Sequence, residues 1–194
     1  VRANTLRADR DTLLAALKEA GTEAEPSKWT PEGVIITAHG SLDRLQPLQD
    51  GLCQVQDESS MLVAHVVDPQ PGEFVIDCCS APGGKTTHLA ALMQDKGRIL
   101  AGDIYEHKID RIQENADRLG ISIIETQLLD AREVGQSYPA QADRVLVDAP
   151  CSGLGVLRRK PDARWNKSEA EISELRNQLR DILGAALAGN KEAN

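Results

Sequence analysis

The segment that decides the fold runs Asp77-Cys78-Cys79-Ser80-Ala81-Pro82-Gly83-Gly84-Lys85-Thr86-Thr87. It follows an apolar run, Phe74 to Asp77, that predicts a buried strand, and it leads into Lys85 to Met93, which predicts a helix. Adjacent glycines let the backbone approach a ligand closely, and the start of a helix offers free N–H groups to an anionic group. The segment therefore predicts a ligand-binding turn between a strand and a helix.

Three alternatives differ in what this turn would bind. A phosphate-binding P-loop requires glycine at the position of Cys79, so Gly83 to Thr86 supply only the second half of that motif. A dinucleotide fingerprint requires three glycines in the spacing GxGxxG, and this turn has one adjacent pair. The third alternative is a tight turn without a ligand.

Outward from this turn, short apolar runs alternate with stretches of helical periodicity. The predicted strands are Phe74 to Asp77, Arg98 to Asp103, Ile121 to Glu125 and Arg144 to Asp148. The predicted helices are Met61 to Val67, Lys85 to Met93, Lys108 to Leu119 and Glu169 to Leu187. This alternation predicts an α/β fold with a parallel sheet covered on both faces, in which ligands bind at the carboxyl ends of the strands.

The first 48 residues have a different pattern and predict a small separate unit. Asp9 or Asp11 can cap a helix whose apolar face includes Leu13 and Leu17. A short strand is predicted at Val34 to Ile36. We therefore divide the chain into residues 1–48 and an α/β domain of residues 49–194.

Three aspartates are predicted to lie at one edge of the sheet, because Asp103, Asp130 and Asp148 each come at or just after the end of a predicted strand or in its following loop. Asp103 follows the glycines by about twenty residues, the separation at which an acidic side chain meets ribose hydroxyls in nucleoside-binding α/β folds. Asp148 is followed by Pro150 and Cys151, in a turn that would hold a carboxylate and a thiol together. A nucleoside-like ligand is the resulting hypothesis.

Composition narrows the possible classes of protein further. The four cysteines lack the paired spacing of a zinc site or an extracellular framework, which favours reduced thiols and a cytoplasmic location. No leader and no apolar run near ~20 residues is present, so we expect a soluble chain without a membrane segment. A net charge of -8 means that any nucleic-acid contact must come from local basic patches.

Five motifs together resemble the Sun/Fmu family of bacterial 16S rRNA cytosine-C5 methyltransferases. They are GLCQVQDESS (51–60), DCCSAPGGKTTHLA (77–90), GDI (102–104), ENADRLG (114–120) and VDAPCSGLGVLRRKPDARW (147–165). The resemblance covers about residues 2 to 185. It implies a Rossmann-like, class I S-adenosylmethionine-dependent methyltransferase fold preceded by a small α+β RNA-binding subdomain.

The resemblance also implies roles for individual residues. The loop around S-adenosylmethionine would consist of Cys79, Ser80, Ala81, Pro82, Gly83, Gly84 and Lys85. Asp103 would hold the ribose, Asp130 would lie by the adenine, and Asp148 would lie between the cofactor and the target base. Ser80 stands where the family usually has alanine.

Catalysis in the family uses two cysteines, and the resemblance assigns Cys151 to the earlier one, which helps to break down the covalent adduct. The later one attacks C6 of cytosine from a TCS-type segment that these 194 residues do not include. Catalytic roles here are therefore expected for Cys151 and Asp148. We expect no catalysis by this chain alone.

The expected partner is ribosomal RNA of the small subunit, bound by a monomer that uses no metal. A basic stretch carries Arg158, Arg159, Lys160, Arg164 and Lys167, with Trp165 as a candidate for stacking on a base. Weaker candidates for RNA contact are Arg2, Asn4 and Arg7, and we interpret His65 and His88 as structural. A non-catalytic RNA-binding relative, or a methyltransferase acting on transfer RNA or protein, remains the alternative.

Overall fold

The computed structural model describes residues 1–38, 41–151 and 169–192, which form an N-terminal unit and an α/β layer structure. The N-terminal elements are β1 (Arg2–Ala3), α1 (Arg10–Glu19), β2 (Glu23–Pro26), β3 (Val34–Ala38), α2 (Gln46–Gln49) and β4 (Cys53–Gln54). The later ones are α3 (Glu58–Val67), β5 (Phe74–Asp77), α4 (Gly84–Leu92), β6 (Arg98–Asp103), α5 (Glu106–Leu119), β7 (Ile124–Leu128), α6 (Val134–Ser137), β8 (Arg144–Leu146) and α7 (Glu169–Gly189).

The main sheet is parallel throughout and has the strand order β7-β6-β5-β8. The chain goes from β5 outward to β6 and β7, and then returns to the other side of β5 with β8. The direction of winding therefore reverses at β5, and the turn after this strand lies at the position where ligands bind in open α/β sheets. The predicted Rossmann-like fold is confirmed.

Both faces of the sheet are buried, and neighbouring residues along a strand point to opposite sides. On one face, Val75 and Ile99 pack with α3, α4 and α5. On the other face, Ile76 and Leu100 pack with α6 and α7. This arrangement explains why the strands are continuously apolar, because the side chains on both faces of the sheet pack against helices.

The helix α7 covers the second face with Ile182 and Ala186, which are both buried. Its other side leaves Leu179, Leu183 and Leu187 partly exposed. Neither α7 nor any other helix in the described part of the chain has the length and apolar character needed to cross a membrane.

Two strand predictions need correction. The third predicted strand starts at Ile124 rather than at Ile121. Gly120 ends α5 in the left-handed conformation, and the N–H of Ile121 still donates to a carbonyl of that helix, so the chain must first turn. The Asp95 carboxylate then accepts the N–H groups of Ser122 and Ile123. The fourth strand ends at Leu146, two residues before the predicted end.

The N-terminal unit contains two small antiparallel pairs, β1 with β4 and β2 with β3, beside α1. The predicted cap is confirmed, since the Asp9 carboxylate accepts the N–H of Thr12 at 2.8 Å. Leu13, Leu17 and Cys53 are fully buried in its core. The boundary at residue 48 stays a prediction.

Buried polar groups join this unit to the α/β layers. The Arg2 guanidinium donates to Gln56 Oε1 at 2.7 Å and to Thr87 Oγ1 at 3.0 Å. The Asn4 amide donates to the carbonyls of Gly51 and Leu119, both at 2.9 Å. Arg2 and Asn4 are each only 1% exposed, so both were wrong as candidates for RNA contact.

Candidate functional site

The turn between β5 and α4 contains two adjacent glycines with different structural roles. Gly83 caps α4 with φ +96°, and a Cβ there would lie 3.3 Å from the Cα of Ile112. A Cβ on Gly84 would meet nothing within 4 Å. Gly83 therefore fits the turn against α5, whereas Gly84 leaves the start of α4 open to a ligand.

The rest of the turn is fixed by internal hydrogen bonds. The Ser80 N–H and hydroxyl both donate to the carbonyl of Gly102, each at 2.9 Å, and this ties the turn to β6. The Ala81-Pro82 peptide is cis, and the Pro82 carbonyl accepts from the Asn115 amide at 2.8 Å. The loop is therefore held in shape before any ligand arrives.

Asp77 ends β5 beneath this turn and is 1% exposed. Its Oδ2 accepts the Thr86 hydroxyl at 2.7 Å, whereas its Oδ1 has no hydrogen-bond partner. Burial raises the pKa of the Asp77 carboxyl to about 6, with a further contribution from the negative charge of Asp148. The folded chain thus holds a proton on Asp77 more tightly than the unfolded chain does.

Replacing Asp77 with asparagine should give a stability difference that depends on pH. Because the pKa rises from 3.8 to about 6 on folding, ionisation of Asp77 destabilises the fold as the pH increases through this window, by about 3 kcal/mol at most. The stability of Asp77→Asn relative to the unmodified chain should therefore increase from pH 4 to pH 7. Urea unfolding at each pH measures this difference.

The control is Asp110→Asn, the same substitution at an exposed aspartate of α5, measured over the same pH range. A difference for Asp77→Asn that stays constant between pH 4 and pH 7 would contradict the raised pKa.

A strand-edge cleft of about 370 Å³ opens at the carboxyl ends of β5, β6 and β7. Its walls come from those strand ends and from α5, the turn after β8 and α7. The lining residues are Cys78, Cys79, Asp103, Ile104, Tyr105, Lys108, Asp130, Ala131, Arg132, Pro150, Leu175, Gln178 and Ile182. This volume falls within the range of about 300 to 1,000 Å³ typical of small-molecule sites.

Two predicted acids lie in the strand-edge cleft. Asp103 is 7% exposed, and its Oδ1 accepts the N–H of Tyr105 at 3.1 Å and lies 3.6 Å from Lys108 Nζ. Asp130 is bound by the side chain and N–H of Arg132, and these hydrogen bonds lower the pKa of its carboxyl. Both side chains therefore present acceptor oxygens to a ligand in this cleft.

A second cavity, the loop pocket, has a volume of about 170 Å³ and lies beside the turn. Its lining residues are Gln54, Val55, Gln56, Asp57, Ser60, Asp77, Cys79, Ser80, Ala81, Pro82, Gly84, Lys85 and Asp148. Lys85 Nζ contacts Asp148 Oδ2 at 2.6 Å, and the Asp148 side chain is half exposed. Cys79 lines both cavities, so the two cavities adjoin at this residue.

The four cysteines differ in burial, and burial disfavours the thiolate form of three of them. Burial raises the pKa of Cys53 and of Cys79 to about 11, and it raises the pKa of Cys78 further. Cys151 is the exposed one, three residues after Asp148. An approaching electrophile would therefore meet Cys151 rather than the other three.

The structure brings most of the predicted site residues together. Gly83 and Cys151 are the exceptions among the described residues, because neither lines either cavity; Gly83 packs against α5 instead. The predicted RNA-binding residues Arg158, Arg159, Lys160 and Arg164 lie outside the described residues.

Sequence reasoning missed the walls of both cavities. Ile104 and Tyr105 are half exposed in the strand-edge cleft, although apolar residues right after Asp103 could have indicated a surface for a flat ring. The segment Gln54–Asp57 lines the loop pocket from the N-terminal side. The only sequence feature that indicated a role for this segment was the GLCQVQDESS motif.

Comparison with known proteins places the chain in a family. The model of the 16S rRNA methyltransferase RsmB/F matches residues 64–193, and an RsmF/B-like ferredoxin-like domain matches residues 1–43. A methyltransferase homolog protein from Pyrococcus horikoshii, whose structure is solved, is 30% identical with a TM-score of 0.84, over 96% of this chain and 58% of that one.

Two curated relatives agree with this placement. The probable ribosomal RNA small subunit methyltransferase B of Bacillus subtilis (strain 168) is 43% identical over 90% of this chain. The ribosomal RNA small subunit methyltransferase B of Escherichia coli O157:H7 (strain EC4115 / EHEC) is 38% identical over 95% of it. The chain spans 39% and 43% of the lengths of these relatives. It belongs to the RsmB/F family of 16S rRNA methyltransferases.

Proposed function

We propose that this chain provides the S-adenosylmethionine site and part of the target site of an enzyme that methylates C5 of a cytosine in small-subunit ribosomal RNA. One observation carries the proposal. In a chain of the RsmB/F family, the open backbone at Gly84, the buried Asp103 carboxylate and the Lys85–Asp148 ion pair all lie at the same sheet edge.

The residues at this edge fit the methyl donor of the family, S-adenosylmethionine. Asp103 offers a carboxylate to the ribose hydroxyls, and Asp130 lies farther along the strand-edge cleft, where the adenine would bind. The start of α4 at Gly84 offers N–H groups to the carboxylate of the methionine part. Bound there, the sulfonium would supply an electrophilic methyl group.

Asp148 is the residue proposed to hold the target cytosine. Its half-exposed carboxylate can hydrogen-bond to the amino group or to protonated N3 of a ring that has been unstacked from the RNA. Lys85 Nζ forms an ion pair with this carboxylate at 2.6 Å and holds it in position. The ion pair lies in the wall of the loop pocket, which adjoins the cleft through Cys79.

The cysteines are proposed to divide the covalent chemistry. A thiolate must add to C6 before C5 becomes nucleophilic, and the family resemblance assigns this step to a cysteine in the TCS-type segment. Cys151 is proposed to assist release of the enzyme from C6 after methyl transfer. Its exposure, three residues after Asp148 in the chain, is what supports this role.

Contacts to the RNA backbone are proposed for Arg158, Arg159, Lys160 and Arg164. Their support is the concentration of positive charge in a chain of net charge -8. The cytoplasmic location and the monomeric state stay predictions. If the chain instead is a non-catalytic RNA-binding relative, the same basic cluster would bind RNA without any dependence on the cofactor.

Replacing Asp103 with alanine should weaken binding of S-adenosylmethionine by about 1 to 3 kcal/mol, because a largely buried carboxylate would no longer accept the ribose hydroxyls. Isothermal titration calorimetry of the purified chain measures this change. The matched control is Asp110→Ala, which removes an exposed aspartate from α5 and should leave the affinity unchanged.

Equal affinities for the unmodified chain and Asp103→Ala would remove Asp103 from the site. Failure of the unmodified chain to bind S-adenosylmethionine would contradict the proposed cofactor site as a whole.

A further inference from the structure

Two histidines and a glutamate from three separate segments meet between the N-terminal unit and the α/β layers. Glu32 precedes β3, His65 lies on α3 and His88 lies on α4. The Nε2 atoms of His65 and His88 are 2.9 Å and 2.8 Å from the same oxygen, Glu32 Oε1. The three donor atoms lie within 4.8 Å of one another.

His88 is the unusual member of this cluster, because it is 1% exposed and neither of its ring nitrogens has a hydrogen-bond partner. Its Nε2 is close to Glu32 without making an aligned hydrogen bond. A buried polar atom without a partner destabilises the fold, and such atoms are uncommon in folded proteins. A cation bound at Nε2 would give one of these two ring nitrogens a well-aligned partner.

We propose that Glu32, His65 and His88 bind a divalent transition-metal ion, with zinc as the ion that fits best. Two imidazole nitrogens and one carboxylate oxygen are a common zinc ligand set, and water or the second carboxylate oxygen would complete it. The site does not depend on methyl transfer, since none of the three residues lines the strand-edge cleft or the loop pocket.

The two histidine–glutamate donor distances need only a small adjustment to hold zinc. Metal–ligand distances of about 2.0 to 2.1 Å in a tetrahedral site separate the donors by roughly 3.3 Å. The two Nε2–Oε1 distances must therefore lengthen by roughly half an ångström. The His65 side chain is 33% exposed, so an ion can enter from solvent on its side.

The ligand chemistry excludes the harder cations. Imidazole nitrogen suits zinc, cobalt, nickel and copper, whereas magnesium and calcium prefer oxygen ligands throughout. The positive charge of Arg2 opposes any cation here, but its guanidinium is turned toward Gln56 and Thr87. The negative charge of Glu32 offsets part of this repulsion.

An ion in this position would connect the two parts of the chain. Glu32 is the ligand from the N-terminal unit, and its carbonyl also accepts the N–H of Ala3 in β1. His65 and His88 come from two packed helices of the α/β layers, and their rings meet edge to face at 5.4 Å. The metal would therefore stabilise the orientation of the N-terminal unit rather than take part in the chemistry.

The test uses the purified chain carrying Cys151→Ser, so that the exposed thiol cannot bind the metal. Zinc content after dialysis against one equivalent of zinc chloride, the thermal midpoint with and without zinc, and the visible spectrum of the cobalt form are measured. His65→Ala is the test variant, because the partly exposed His65 can be removed without opening the core. His107→Ala, at an exposed histidine on α5, is the matched control.

The proposal predicts one zinc per chain, a tetrahedral cobalt spectrum and a rise in thermal midpoint of roughly 5 to 10 °C when free zinc is about a hundredfold above its dissociation constant. His107→Ala should keep all three properties, and His65→Ala should lose them. Absence of bound zinc, or a zinc response that persists in His65→Ala, would overturn the proposal and leave Glu32 as a hydrogen-bond acceptor only.

Discussion

Labelled methyl groups from S-adenosylmethionine are expected not to reach 16S ribosomal RNA when the 194-residue chain is the only protein present. The reason is chemical, because C5 of cytosine is a poor nucleophile until a thiolate has added to C6. Three of the four cysteines are disfavoured as thiolates by burial, and Cys151 is proposed to act in release. Scintillation counting of the RNA after incubation measures transfer.

The positive control is the same chain extended through the TCS-type segment, which should transfer methyl groups under identical conditions. In that extended protein, Cys151→Ser should accumulate a covalent enzyme–RNA adduct, visible as a shifted band on a denaturing gel. Turnover by the unextended chain that disappears in Cys151→Ser would instead make Cys151 the attacking nucleophile.

Alanine at Gly83 and alanine at Gly84 should have opposite consequences, although the two glycines are neighbours. Gly83→Ala should lower the free energy of unfolding by about 2 to 4 kcal/mol, because φ is +96° and the new Cβ would press on the backbone of Ile112. For a chain of this size, the thermal midpoint should fall by roughly 5 to 15 °C. Differential scanning calorimetry without ligand gives this value.

Gly84→Ala should leave the thermal midpoint unchanged or slightly higher, since its Cβ meets nothing and alanine favours a helix. It should nevertheless weaken S-adenosylmethionine binding, because the methyl group would stand where the ligand approaches the backbone. Equal thermal midpoints for the two variants would contradict the packing of Gly83, and unchanged affinity in Gly84→Ala would place the ligand elsewhere.

The sheet could be predicted because its strands are short apolar runs next to clear helical periodicity. Phe74–Asp77 and Arg98–Asp103 have the predicted bounds, since a strand buried on both faces is apolar throughout. We predicted the start of β7 three residues too early. The apolar run begins at Ile121, but the turn that follows α5 at Gly120 delays the strand until Ile124. Periodicity alone does not locate such a turn.

The site was predictable where one local motif contributes it. The turn after β5 and the aspartates at the strand ends follow from sequence spacing and parallel topology. The wall formed by Gln54–Asp57 depends on how the N-terminal unit packs, and the cluster around Glu32 joins residues 33 and 56 positions apart. Neither arrangement is encoded in adjacent residues. Sequence spacing therefore could not show that His65 and His88, which we interpreted as structural, both lie next to Glu32.

A crystal structure of the chain with S-adenosylhomocysteine would test the central claim most directly. We expect the nucleoside in the strand-edge cleft, with its ribose hydroxyls on the Asp103 carboxylate, its adenine beside Ile104 and Asp130, and the amino-acid end at Gly84. Density for the nucleoside at any other place, or an empty cleft at saturating ligand, would contradict the account.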